Sequence, residues 1–285
     1  MTNFERVNIV LDKLTSVAKA TGAKLDLLVQ AQLGYLTGQY PKLLYRTRAP
    51  VDYSAEATHV AYVYRCAAAH GQWVYQALLA AHARASTLFK QDVVRVAAIG
   101  GGPGSDMLGV MKYSNTMGLV PAHVSFKLLD HEPSWERVGR EFARTYEGQR
   151  RFDFTFEKLD LSAGSPWAAS NEFLSADIFT LSFALSEAWV FDGNGSVTAF
   201  LDYVVSNAKP GALFVYVDNG GPSFNSLVEP HFNRRDVKLV VASDDQRRLL
   251  GSDEQASAVA AYKARFGQNP KLTGNVSYRV WEKLP

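Results

Sequence analysis

Val96-Ala97-Ala98-Ile99-Gly100-Gly101-Gly102-Pro103-Gly104-Ser105-Asp106 decides how this chain folds. An apolar run meets a cluster of glycines and passes at once into a segment of helical character, Asp106 to Met117. Glycine lets the backbone turn sharply and approach a ligand with no Cβ in the way. The helix that follows presents free N–H groups to polar or anionic atoms. A strand–glycine turn–helix unit is therefore predicted, with a ligand at the turn. The spacing only partly fits the dinucleotide fingerprint, because Ser105 stands where a packing glycine or alanine is wanted. A phosphate-binding P-loop fails outright, since Gly104 is followed by Ser105-Asp106 and no lysine.

Working outward, strand and helix patterns alternate from Asp92 onward. Val124 to Leu129 is a second strand, with a helix from about Ser134 to Tyr146. Phe152, Phe154 and Phe156 alternate with polar residues, the period of a strand. Ile178 to Phe183 and Ala212 to Val217 follow as strands, and Val237 to Val241 and Val276 to Trp281 are late ones. Between them Val197, Phe200, Leu201, Val204 and Val205 share one helical face over Ser196 to Asn207, stopped by Lys209-Pro210-Gly211. This alternation predicts a mostly parallel sheet with helices on both faces and a ligand beyond the carboxyl ends of its strands. Before residue 90 the pattern is helical. Ser54 to Phe89 is dense in Ala, Tyr and Leu, and Gly71 marks either a bend in one helix or a break between two.

Composition bounds the function. With 285 residues and 47% hydrophobic content, the chain buries a large core. Thirty Lys and Arg against 28 Asp and Glu leave a net charge of +2, which argues against a uniformly basic nucleic-acid binder. The single cysteine, Cys66, rules out a disulfide framework, and no Cys/His spacing suggests a metal. Neither a signal peptide nor a run of about 20 apolar residues is present, so a soluble protein of the cytoplasm, or of the nucleus, is expected, with no membrane partner.

Gly100, Gly102 and Gly104 in G-x-G-x-G spacing resemble the first motif of class I S-adenosylmethionine-dependent methyltransferases. Four further segments resemble that family in its order. Leu128-Leu129-Asp130 ends the second strand in an acid, Leu159-Asp160-Leu161 follows the third, Ala176 to Phe183 is similar to its fourth-strand segment, and Lys209-Pro210-Gly211 to its turn before the fifth. The resemblance covers roughly residues 92 to 285. It implies a Rossmann-like, doubly wound α/β fold with a mostly parallel seven-stranded sheet. It also implies two parts, a helical lid or substrate-binding segment over 1–90 and a cofactor-binding domain over 91–285.

The resemblance further implies S-adenosylmethionine as cofactor, with no metal. The implied cofactor residues are the turn Gly100, Gly101, Gly102 and Gly104, then Asp106, Asp130 for the ribose hydroxyls, His131, Asp160 and Leu161 beside the adenine, and Ser182. One departure matters: the family usually carries Asp or Glu two residues before the first glycine, where this chain has Ala98. Ser105-Asp106 at the helix start is the expected substitute. Taken singly, Asp106 is an acid complementing a helix dipole, and Asp130 and Asp160 are solvated strand ends. The ordered series favours the functional reading of Asp130.

Methyl transfer requires in-line alignment of an acceptor atom and exclusion of water, with a base only where the acceptor starts protonated. Glu187, after the fourth strand, is the first choice for general base or acceptor-amine ligand, its alternative being a helix-start acid. His131 is a second catalytic candidate, or else shapes the adenosine pocket, or is a polar loop residue. The absence of an Asn/Asp-Pro-Pro-Tyr motif argues against enzymes that methylate exocyclic amines of bases. Tyr53, His59, Tyr62, Tyr64, Arg65, His70, Trp73 and Tyr75 are either pocket wall or packed core. Tyr40, Lys42, Tyr45, Arg46 and Arg48 interleave aromatic and basic groups, as a single-strand binder or a solvated loop does. The leading expectation is an O- or N-methyltransferase for a small-molecule acceptor. The alternatives are an RNA or protein methyltransferase with a basic surface at 40–48 or 137–151, a catalytically silent interaction module, and a nicotinamide-dependent oxidoreductase. The Ala-rich face of 55–89 is a domain junction or a homodimer surface.

Overall fold

The computed structural model describes every residue except Leu44, Arg46, Thr47, Arg48, Gln149 and Arg150, together with the side chain of Asp245. Arg46 and Arg48 of the aromatic–basic stretch, and two positions of the 137–151 stretch, thus lie outside the described residues.

Helix α1 (Asn3–Val17) starts in a capping box: the Thr2 hydroxyl accepts from the Glu5 N–H, and the Glu5 carboxylate accepts from the Thr2 N–H. Then come α2 (Gly22–Gln39) and α3 (Glu56–Tyr62), which continues through a π-helical turn (Val63–Ala67) into α4 (Ala68–Ala80) and on to α5 (His82–Leu88). The alternating part runs β1 (Val93–Ile99), α6 (Ser105–Thr116), β2 (His123–Asp130), α7 (Trp135–Arg144), β3 (Arg151–Lys158), β4 (Ile178–Ser182), α8 (Leu185–Ala188), α9 (Ser196–Asn207) and β5 (Leu213–Asn219). It closes with α10 (Pro222–Phe232), β6 (Val237–Leu249), α11 (Ala260–Phe266) and β7 (Thr273–Lys283).

The seven strands form one sheet in the order β3-β2-β1-β4-β5-β7-β6. The first five are parallel, and β7 inserts antiparallel between β5 and β6. This is the Rossmann-like, doubly wound architecture expected from the sequence. Alternate side chains along each strand feed two cores. Val96, Ala98, Val215 and Val217 face the layer of N-terminal helices with α6 and α7, whereas Ala97, Ile99, Phe214 and Tyr216 face α9 and α10. No described helix is long and apolar enough to cross a membrane.

Two expectations are corrected. Gly71 neither bends nor breaks a helix; it lies inside α4, where α4 crosses α6. A Cβ on Gly71 would stand 2.7 Å from the Leu108 Cβ, and one on Gly109 would stand 2.4 Å from the Gly71 carbonyl oxygen. Both glycines exist for close approach of two helices, and the chain departs from α-helical geometry instead at Val63–Ala67 and Ala81. The last two strands are also longer than their apolar runs. β6 continues through a polar stretch with register shifts on the sheet edge, where exposed side chains such as Asp244, Gln246 and Arg247 remove the hydrophobic signal.

The Ala-rich face of 55–89 packs inside the first core, with Ala61, Ala67, Ala68, Ala69, Ala77 and Ala85 all buried.

Candidate functional site

A cleft of about 340 Å³ opens at the carboxyl ends of β1, β2 and β4, within the size range of small-molecule sites. Its floor is the turn after β1. Gly100 has φ +59°, and a Cβ there would fall 2.6 Å from the Ala184 Cβ, so the turn closes directly onto the loop after β4. The N–H groups of Gly100 and Gly101 both donate to the Leu129 carbonyl, at 2.8 and 3.3 Å, which fastens the turn to β2.

Asp130 is pinned between those strand ends. One carboxylate oxygen accepts from the Gly102 N–H at 2.9 Å, the other from the Glu132 N–H at 3.0 Å. A carboxylate has about four acceptor positions, so capacity remains toward the cleft that it lines. His131 Nδ1 is 3.4 Å from Asp130, and this interaction raises the imidazole pKa against the opposing effect of burial. Across the cleft Asp160 accepts from the Ser162 N–H and hydroxyl, at 2.9 and 2.6 Å. Burial pushes the Asp160 carboxyl up, but the Ser162 bonds together with nearby positive charge outweigh it and hold it below the ordinary aspartate range. Leu159, Leu161 and Ser162 complete that wall.

The opposite wall mixes both parts of the chain. Pro50, Val51, Tyr53 and Tyr62 come from the N-terminal segment. The Tyr53 hydroxyl donates to both carboxylate oxygens of Glu187, at 2.7 Å each. Tyr53 packs against Tyr62 and Trp135, with ring centroids 5.5 Å away in each case. Phe183, the first residue past β4, adopts φ +57°, uncommon for a residue with a Cβ. Its ring stacks on His70 at 3.8 Å and faces the cleft. Burial first, and then the nearby Glu187 charge, push the Tyr53 and Tyr62 phenols well above their ordinary pKa, so both remain donors at neutral pH.

Of the residues singled out from the sequence, Gly100, Gly102, Asp130, His131, Asp160, Leu161 and Glu187 line this one cleft. Gly101, Gly104, Asp106 and Ser182 do not. Asp106 is buried beneath the turn, where it accepts from the Thr180 hydroxyl at 2.5 Å and ties the start of α6 to β4. Ala98 is fully buried in the core below Gly101, and its expected substitutes Ser105 and Asp106 are buried too and do not line the cleft. Tyr64 and Trp73 are core residues, and Arg65 donates to the Asn269 carbonyl away from the cleft. His59 bonds Ser134 and packs on Trp135 behind the wall. Sequence reasoning missed Trp135, Phe183 and Phe191. The first two had a signal, being an aromatic at a helix start and one at a strand end, both on the carboxyl edge of the sheet. Among the described residues no group of three or more His, Cys, Asp or Glu could hold a metal ion.

Burial pushes the Asp106 carboxyl up to about 7, with Thr180 and then Ser182 opposing the rise. The folded protein therefore holds a proton that the unfolded chain releases near pH 4, and Asp106 costs stability progressively as pH rises from about 4 to 7. Asp106→Asn keeps the acceptor for Thr180 and removes the charge. The variant is expected to gain on the parent by up to about 1.4 kcal/mol per pH unit across that window. Urea denaturation at pH 4.5, 5.5 and 6.5 checks this, and parallel stability curves would refute it.

No family model matches the chain, and no curated protein does. Solved structures similar to it include a candidate RNA methyltransferase from Pyrococcus horikoshii, at 13% identity over 78% of this chain and 88% of that one, TM-score 0.44. A candidate O-methyltransferase from Klebsiella pneumoniae is similar at 11% identity over 97% and 90%, TM-score 0.45. A methyltransferase from Pyrococcus furiosus is similar at 9% identity over 89% and 96%, TM-score 0.42. Identities this low say nothing about substrate.

Proposed function

We propose that this protein is an S-adenosylmethionine-dependent methyltransferase that methylates an O or N atom of a small molecule. The observation that carries this reading is Asp130, tethered to the glycine turn through Gly102 and bordering a cleft roofed by the N-terminal segment. The residues present fit the cofactor. Asp130 has acceptor capacity for two ribose hydroxyls, Asp160 and Leu161 offer an acceptor and an apolar face to an adenine, and the glycines let the chain pass close beside it. His131 closes the adenosine end. When bound, S-adenosylmethionine supplies a methyl group activated on a cationic sulfonium. Asp130, Asp160 and Glu187 give the cleft three carboxyl groups, a lining that favours a cationic ligand over an anionic one. Pro50, Val51, Tyr53 and Tyr62 exclude water from the reacting atoms, and Glu187 stands ready to take a proton from the acceptor.

The roof favours a small acceptor over a macromolecule. The basic residues of α7 point the same way: Arg137, Arg140 and Arg144 each lie within ion-pair distance of a glutamate, which weakens their claim on phosphates.

Calorimetric titration with S-adenosylmethionine, and in parallel with NADH, tests the reading. Micromolar binding of the first alone is expected. Binding of NADH instead would favour the oxidoreductase, since an acid at the end of β2 also suits a nicotinamide dinucleotide ribose. Binding of neither by a folded protein would favour the silent module.

A further inference from the structure

We infer that Tyr53 is a positioning residue that sets Glu187 as a base, and that the acceptor therefore carries a hydroxyl or amine that must lose a proton. The acceptor half rests on the methyl-transfer reading above; the Tyr53–Glu187 half stands on geometry alone.

Glu187 belongs to the helical turn Leu185–Ala188, which follows the strained Phe183 and runs on into a 3-10 stretch, Trp189–Asn194. Such a segment fixes the Glu187 backbone, while the rotamer of so long a side chain is set by what it touches. Tyr53 is the counterpart: its ring is wedged between Tyr62 and Trp135, and its hydroxyl reaches both oxygens of the carboxylate at equal distance. Tyrosine loses little rotamer freedom and orients a carboxylate through a neutral donor. A donor of this kind favours the ionised form, which is the form that accepts a proton.

The chemistry balances. The acceptor oxygen or nitrogen contributes its lone pair to the new bond with the methyl carbon. The carbon–sulfur bond breaks with its electron pair passing to sulfur, and the acceptor's proton goes to Glu187 and on to water. A thiolate or a tertiary amine has no such proton, and an arrangement of this kind would serve it no purpose.

Among the described residues of the N-terminal elements, Tyr40, Tyr53, Tyr62 and Cys66 lie near enough to feel the Glu187 charge, and burial keeps each protonated at neutral pH. Across the cleft stand Asp130, Asp160 and His131, with Asp106 beneath the turn and Lys271 behind the Phe183 ring.

The test is a carbon-13 NMR titration of glutamate side-chain carboxyls, with the Glu187 signal assigned by its loss in Glu187→Gln. In Tyr53→Phe, which keeps the ring and its contacts, the Glu187 midpoint is expected to move up by about one pH unit. A purely structural role would leave it in place. A second measurement needs no variant: the Tyr53 Cζ signal of the wild-type protein should shift with the Glu187 midpoint. An unmoved midpoint, or a Cζ signal indifferent to it, overturns the pairing. For the acceptor, the protein is incubated with S-adenosylmethionine and a mixture of phenols, alkyl amines and thiols, with products read by mass. O- or N-methylation, slowed at least tenfold in kcat in Tyr53→Phe with KM for S-adenosylmethionine unchanged, supports the assignment. Methylation of thiols alone, or of nothing while the cofactor binds, overturns it. Failure of the cofactor to bind overturns the methyl-transfer reading instead, and the NMR result stands apart from it.

Discussion

Asp130→Ala is expected to weaken S-adenosylmethionine binding at least about a hundredfold while the protein stays folded. Two hydrogen bonds from ribose hydroxyls to a carboxylate contribute about 1.5–3 kcal/mol each, and about 1.4 kcal/mol is a tenfold change. Losing both therefore reaches a hundredfold before any effect on the turn is counted. The turn suffers as well, because Gly102 loses the acceptor that holds its N–H at 2.9 Å. Asp130→Asn should fall between, since the amide keeps one oxygen. Calorimetry on both variants, with circular dichroism to establish folding, makes the comparison. Affinity within threefold of the parent in Asp130→Ala would remove Asp130 from the site.

Gly109→Ala should cost about 3 kcal/mol of stability, at the upper end of ordinary overpacking. The added Cβ would stand 2.4 Å from the Gly71 carbonyl oxygen, 2.7 Å from the Val74 Cβ and 2.9 Å from the Tyr75 backbone nitrogen. Two of these atoms are backbone, so relief requires α4 and α6 to move apart. A drop in Tm of roughly 5 °C follows, at about 0.6 kcal/mol/K of unfolding entropy for 285 residues. Because α6 begins immediately after the glycine turn, cofactor affinity should fall together with Tm. Thermal denaturation checks the first effect and calorimetry the second. A Tm within 2 °C of the parent would mean that the two helices slide apart at no cost.

The contrast between Gly71 and Gly100 separates what could be read from what could not. Gly100 was legible because its neighbours along the chain define its role. An apolar strand before it and a helix after it leave a tight turn as the local solution. Gly71 looked like a helix breaker because its partner, Gly109, is 38 positions away and helix propensity contains no information about such contacts. Asp106 makes the same point within the site. At a helix start it suggested a ligand contact, but the fold turned it under the sheet edge toward Thr180. Glu187 was recognisable as an acid after a strand, whereas its hydrogen bond to Tyr53 joins residues far apart in sequence.

By itself, the sequence determined the order of strands and helices, the parallel character of the sheet, the glycine turn and the acids that follow the second and third strands. These are local: hydrophobic period, turn chemistry and strand-end position act over a dozen residues or fewer. Tertiary structure alone decided which of the aromatic residues of the first 90 positions became wall and which became core. It put Tyr53 against Glu187, Trp135 against both tyrosines, and Asp106 out of reach of the cleft. Those outcomes depend on how the helical layer docks on the sheet, a packing of distant surfaces that a local pattern does not encode.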